Sequence, residues 1–310
     1  MRKKVISIDL AGGIGNQLFR YFAAHAIGEK LDASLKFYFD ELPNTHSQFN
    51  SRITDLYPDV AINYRSRKGP FRNLCIRLSD SISYRLPLFA RIKLKFTRNY
   101  YELGTEFQRE LSSIDRKFKR FPFPLTIHLK GHFQNIDYFM LVQEKLLKGK
   151  LQIDEHYQSN PLFISGSDAQ NTSCLVHVRR GDFKNHKSDI GLLDSDYYRR
   201  SMKDFLEITP LARFVIISDD IAEAKKFLPS EYRGISIFVE ESDVLNPALL
   251  FRYSIEFKNF IISNSTYSLW IALLSEKPSY VAFPFPFNLN LEIPVRGFPV
   301  SWRKIESSFE

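Results

Sequence analysis

The run Cys174-Leu-Val-His-Val-Arg-Arg-Gly-Asp182 decides the fold. Its first five residues read as a buried parallel strand, and the two arginines and glycine that follow belong to a strand end, not to a core. The pattern then repeats down the chain. Arg213–Ser218, Ile235–Val239, Asn259–Ser263 and Ser279–Phe283 have strand character, while Tyr197–Leu206, Ile221–Phe227, Pro247–Tyr253 and Ser268–Leu274 have helical character. Strands alternating with helices predict βαβ units and a parallel sheet. Functional groups should then gather beyond the carboxyl ends of the strands. Upstream, Lys4–Leu10 reads as a buried strand running into Ala11-Gly12-Gly13-Ile14-Gly15, after which Leu18, Phe19, Phe22, Ala23 and Ala26 keep helical spacing. Pro43–Arg120 reads as irregular, with short helices, and Thr126–Gln134 as a strand or its exit. The polar stretch Asp154–Thr172 sets a boundary between two domains, 1–155 and 156–310. The class is α/β.

Composition narrows the function. The 310 residues are 44% hydrophobic and 25% charged, ordinary globular values that exclude a disordered or fibrous chain. Two cysteines, Cys75 and Cys174, are too few for a disulfide framework and suit no zinc site; they read as buried apolar residues of a reducing compartment. No signal peptide or membrane span is apparent, so a cytoplasmic protein is expected. The net charge of +8 is concentrated. Tyr64–Arg98 carries ten basic residues against Asp80 alone, a patch that attracts an anionic polymer, membrane face or phosphorylated substrate, unless it is simply a solvated face. No nucleic-acid-binding pattern accompanies it, and no nucleic-acid partner is expected.

Four clusters carry candidate chemistry. In Gly12-Gly13-Ile14-Gly15-Asn16-Gln17, glycines before a helix let backbone N–H groups approach an anion, with Asn16 and Gln17 adding side-chain donors; a tight turn without a ligand is the plainer alternative. In His177-Val178-Arg179-Arg180-Gly181-Asp182, two guanidinium forks match phosphate oxygens, and an Arg–Asp pair at a strand end is the alternative. Asp219 and Asp220 close the strand ending at Ser218. They could accept from a guanine or from sugar hydroxyls, or cap the next helix. Ser263-Asn264-Ser265-Thr266-Tyr267-Ser268 places hydroxyls and amides at a helix start, which suits phosphate. Asp194-Ser195-Asp196 imitates a metal-binding D-x-D, but it stands before a helix, so Asp194 or Ser195 reads as an N-cap and no metal is expected.

These clusters, in their order, resemble the motifs of the bacterial α-1,2-fucosyltransferases of glycosyltransferase family 11: GGIGNQLFRYFAA, GHFQNIDYF at Gly131–Phe139, HVRRGDF at His177–Phe183, ISDDI and SNSTYSLWIALL at Ser263–Leu274. His132 stands where that family usually has tyrosine. The resemblance implies a GT-B fold of two Rossmann-like domains facing a cleft. It also implies a GDP-β-L-fucose donor and inverting transfer, without metal or other cofactor, to the 2-hydroxyl of a terminal galactose. His177, Arg179, Arg180 and Asp182 then belong to the donor motif, the arginines neutralising the diphosphate. Asp219 or Asp220 reads guanine, and Asn264, Ser265 and Thr266 hold phosphate. Gly13, Gly15, Asn16 and Gln17 face the fucose and diphosphate, and His132 and Gln134 bear on the acceptor. Asp182, His132 and Asp189 are candidates for the base. A galactose-terminated, lipid-diphosphate-linked glycan as acceptor would give the basic segment a use, holding the enzyme peripherally on the anionic inner membrane face. Fucosyl transfer in α-1,6 or protein O-linkage, and a non-catalytic nucleotide-sugar or glycan binder, are the competing readings.

Overall fold

A computed structural model describes residues 4–40, 53–57, 61–65, 96–102, 107–120, 125–147, 172–181, 183–184, 188, 190–240, 247–290 and 297–310. It divides into two units, Met1–Lys148 and Gly149–Glu310. The expected boundary at 155/156 lies outside the described residues.

The first unit runs β1 (Lys4–Asp9), α1 (Ile14–Leu31), β2 (Ser34–Asp40), α2 (Ile53–Leu56), β3 (Ile62–Arg65), β4 (Phe96–Tyr101), α3 (Phe107–Arg120), β5 (Leu125–Lys130) and α4 (Asp137–Leu147). Its sheet has the order β3-β2-β1-β5-β4, and every pairing is parallel. Helix α1 is apolar on most of its circumference, with Leu18, Phe19, Phe22, Ala23 and Ala26 all buried, and its spacing predicted it.

The second unit runs β6 (Ser173–Val178), α5 (Ser195–Ile208), β7 (Arg213–Ser218), α6 (Ile221–Phe227), a 3-10 turn (Ser230–Ile235), β8 (Ser236–Phe238), α7 (Pro247–Ser254), β9 (Asn259–Ile261), α8 (Thr266–Leu274), β10 (Tyr280–Phe285) and β11 (Arg303–Glu306). The order β11-β10-β9-β6-β7-β8, all parallel, is the doubly wound dinucleotide-binding arrangement counted from β6. All six residues of β6 are buried, as a strand covered on both faces requires. Around it Val176, Tyr197, Met202, Phe205, Phe214 and Ile261 form the core. Cys174 is buried and free here, while Cys75 lies outside the described residues. Two parallel α/β units, each Rossmann-like, are therefore present as the sequence implied.

The alternation after residue 172 is realised element by element, but Pro43–Arg120 is more regular than expected. It contains β3, β4 and the 14-residue α3. Helix α3 hides from a hydropathy reading because only Phe107, Glu110, Ile114 and Phe118 are buried in an otherwise charged segment. Glu110 is buried because the Tyr100 hydroxyl donates to it. No described helix is long and apolar enough to cross a membrane.

Candidate active site

A doubly wound sheet offers its ligand crevice where the chain reverses direction, outside the carboxyl ends of the two central strands. In the second unit those strands are β6 and β9, and the loops leaving them are the His177–Gly181 and Ser263–Thr266 motifs. The two meet directly: His177 Nδ1 and Ser263 Oγ share a hydrogen bond of 2.8 Å. The imidazole is buried and lies 5.4 Å from the Tyr267 ring. Burial, reinforced by the Arg179 charge, lowers its pKa to about 3, so His177 is neutral at physiological pH.

The adjacent arginines part company. Arg179 keeps 17% of its side chain exposed and places Nε 3.2 Å from Asp219 Oδ2. Arg180 turns into the packing. Its Nη2 and Nη1 donate to the two carboxylate oxygens of Glu310 at 2.8 and 3.3 Å, Nη1 also reaches Leu193 O at 3.3 Å, and the guanidinium stacks 3.8 Å above the Phe227 ring. The resemblance put both forks on the diphosphate. In the structure Arg179 is half-buried beside Asp219, and Arg180 is packed between Glu310 and Phe227.

Asp219 is the hinge of the cluster. Besides Arg179 it accepts from the backbone N–H of Arg180 at 3.0 Å and from that of Gly181. Burial opposes ionisation, yet the Arg179 charge and the two amides outweigh it and hold the carboxyl below its ordinary range. A Cβ on Gly181 would fall 2.6 Å from Asp219 Oδ2, which explains the glycine. Asp220 is the N-cap of α6, accepting from Glu223 N at 3.0 Å, with Lys184 at 3.7 Å. Of the alternatives open for this pair, capping is the one Asp220 adopts.

Ser265 caps α8, accepting from Tyr267 N, and Thr266 begins that helix. Asn264 Nδ2 donates to Gly191 O at 3.0 Å and Ile190 O at 3.3 Å, while its Oδ1 is buried with no hydrogen-bond partner among the described residues. Asp194 caps α5 through Tyr197 N at 2.9 Å, the capping role that sequence reading assigned to Asp194 or Ser195, and Asp196 pairs with Arg199. Asp182 and Asp189 lie outside the described residues, as do residues 66–95 of the basic segment.

In the first unit the sheet reverses between β1 and β5. Gly12 takes φ +84°, and Gly13, the N-cap of α1, carries no side-chain cap; the N–H groups of Asn16 and Gln17 donate to Gly13 O at 3.0 and 3.1 Å. Gly15 is buried in the first turn of α1. Asn16 Oδ1 accepts from Gln134 Nε2 at 2.9 Å, tying the two loops together, as does Arg20, which donates to Ala11 O and Gly131 O. Gln17 works inward, donating to Gly12 O at 2.8 Å and accepting from Ile53 N at 3.0 Å. His132 is exposed, and its N–H and that of Phe133 donate to Glu102 at 2.8 Å each. The sequence reading missed Arg20, Glu102 and Glu310. Arg20 stands inside the quoted GNQLFR run, but Glu102 and Glu310 carry no local signal because each acts on a loop distant in the chain.

With this geometry established, comparison with known proteins is informative. The model of Glycosyl transferase family 11 matches residues 5–288. An Escherichia coli O-antigen biosynthesis glycosyltransferase, WbnK, is 27% identical over 86% of this chain and 89% of its own length. An Escherichia coli alpha-1,2-colitosyltransferase is 24% identical over 99% of this chain and 96% of its own. Among solved structures, POFUT1 in complex with GDP is 12% identical, covering 90% of this chain and 96% of that one, with a TM-score of 0.43.

Proposed function

The chain belongs to glycosyl transferase family 11, and from that premise we propose that it moves L-fucose from GDP-β-L-fucose to the 2-hydroxyl of a terminal galactose. The observation that carries the donor side is the junction at the β6/β9 reversal, where neutral His177 and Ser263 join the two loops beside the charged Arg179. The acceptor oxygen bonds to C1 of the sugar from the face opposite the departing diphosphate. The C1–O bond breaks with its electron pair leaving on GDP, so a β-linked donor gives an α-linked product.

GDP gains charge in that step, and a fixed cation beside it is worth about 10²–10³ in rate. We assign this role to Arg179, whose guanidinium stands at the end of β6 with Nε 3.2 Å from Asp219 Oδ2. The start of α8 adds backbone donors and the positive end of a helix dipole. We assign charge neutralisation to protein groups; Asp194 caps α5 and Asp196 pairs with Arg199. Arg180 is assigned to holding the loop. The resemblance assigns the acceptor proton to Asp182, Asp189 or His132 and the acceptor to His132 and Gln134, with Gly13, Gly15, Asn16 and Gln17 assigned to the donor. The relative's part in O-antigen biosynthesis supports an acceptor in a surface-polysaccharide repeat unit. Its lipid-diphosphate carrier would bring the basic segment to an anionic membrane face.

Transfer of colitose through the same link is the second reading, favoured by the named activity of the second relative. The test is GDP release in EDTA from GDP-fucose and GDP-colitose, with lactose, lacto-N-biose and β1,3-galactosyl-N-acetylgalactosamine as acceptors. Acceptor-dependent release from GDP-fucose, with the product linkage found at galactose O2, is expected. Turnover of GDP-colitose alone would replace the donor, and absence of GDP binding would overturn the reading.

A further inference from the structure

We propose that Glu310 is a positioning residue for the donor site, acting through Arg180 and Asp219 on Arg179; the inference rests on the donor reading given above. Beyond β11 the segment Ser307–Glu310 doubles back over the loop between Ile190 and Asp194. Ser307 N donates to Phe285 O at 3.0 Å and Ser307 Oγ to Pro286 O at 2.8 Å. Asp194 N donates to Ser308 O at 3.1 Å, Ser308 Oγ to Asp194 Oδ2 at 2.6 Å, and Glu310 N to Leu192 O at 2.8 Å. Leu193 and Phe309 form an antiparallel bridge. The Phe309 ring lies where a Cβ on Gly191 would stand, and Gly191 has φ +81°, so this glycine is required twice over. Backbone bonds at Ser307, Ser308 and Glu310 thus hold the segment and bring the Glu310 side chain beside Arg180.

That place is the fork of Arg180. The guanidinium has 8% of its side chain exposed and Glu310 has 38%, so the pair sits at the inner edge of the surface, where a two-point charge-assisted bond is effective. Arg180 contributes to the site through its main chain. Its N–H holds Asp219 Oδ1, and the other oxygen of that carboxylate holds Arg179. The loop Ile190–Asp194, on which the segment lies, is held from its other end by Asn264 of the β9 motif, which donates to Ile190 O and Gly191 O. The segment therefore bonds to the β6 loop directly, through Glu310 and Arg180, and to the β9 loop by way of Ile190–Asp194. The segment lies beyond residue 288, where the family match ends, so the family motifs would not disclose it.

A carboxylate in an arginine fork has a second possible meaning: it could compete with phosphate for Arg180. The two roles give opposite signs when Glu310 is removed. The experiment uses the full chain with Glu310→Gln and Glu310→Ala. It measures amide exchange over residues 178–181 without nucleotide, GDP Kd by calorimetry, and donor KM and kcat separately. Positioning predicts faster exchange at Arg180 and Gly181 and a GDP Kd raised about tenfold in Glu310→Ala. The rise should appear in KM more than in kcat, and Glu310→Gln, which keeps one acceptor oxygen and the volume, should fall between. Exchange and Kd within twofold of wild type in both variants overturn the proposal. Tighter GDP binding also overturns it, in favour of competition. If wild-type protein fails to bind GDP, the donor reading falls, while the exchange comparison still decides whether Glu310 fixes Arg180.

Discussion

Replacing Arg179 separates two demands on one side chain. Its Nε bonds to Asp219 at 3.2 Å, and its remaining donors are assigned to the departing diphosphate. Arg179→Ala leaves Asp219, 4% exposed in its side chain, with two backbone amides and no cation. A hydrogen bond to a charged group at such a site contributes about 1.5–3 kcal/mol. That is a fraction of the about 5–15 kcal/mol of a typical domain, so the variant remains folded at 25 °C. Loss of the fixed charge at the leaving group lowers kcat/KM by about 10²–10³-fold, or about 2.7–4 kcal/mol of transition-state stabilisation. Asp219→Asn supplies the other corner of a double-mutant cycle. An amide keeps one acceptor oxygen and presents an N–H₂ to the other donors, so this variant costs a similar amount of stability while its Arg179 charge remains. Because the two side chains touch, the double variant should lose less stability than the sum of the singles, with a coupling of about 1–3 kcal/mol. Urea unfolding reads the stability and GDP release reads the rate. Should Arg179→Ala lose the stability but turn over within threefold of wild type, Arg179 serves only to neutralise Asp219 and the assignment to the diphosphate is wrong.

Three further outcomes are expected. Gly181→Ala forces the Asp219 carboxylate away from a Cβ at 2.6 Å and should weaken GDP binding severalfold, which calorimetry measures; an unchanged Kd would show that the loop relaxes freely. His177 is neutral when folded down to about pH 3, whereas in the unfolded chain it takes up a proton near pH 6.5, so protons favour unfolding between those values. Stability should fall by up to about 1.4 kcal/mol per pH unit below pH 6.5 from this one group, and the slope of urea-derived free energy against pH should be smaller in His177→Asn. Gly131 has φ +153° and lies against Glu102, so Gly131→Ala should destabilise the first unit by about 1–3 kcal/mol in thermal unfolding; a loss under half of that would mean that Glu102 is not needed to hold the loop of His132 and Phe133.

The strands and helices after residue 172 could be read from the chain because a parallel sheet demands continuous apolar strands, and Cys174–Val178, Arg213–Ser218 and Ser279–Phe283 supply them at regular intervals. The residue types at their ends were equally readable, since two arginines, paired aspartates and a run of hydroxyls need polar partners wherever they sit. What sequence reading could not supply was direction. His177 finds Ser263 at a separation of 86 residues, Asp219 accepts from Arg180 N at a separation of 39, and Glu310 reaches Arg180 across 130. Adjacent arginines on a loop are alike to any local rule. Only folding brings Asp219 to one and Glu310 with Phe227 to the other, and so leaves the first half-buried beside a carboxylate and packs the second into the fold. Charge and hydrogen-bonding capacity belong to the residue, but where they point is fixed by partners that tertiary packing selects.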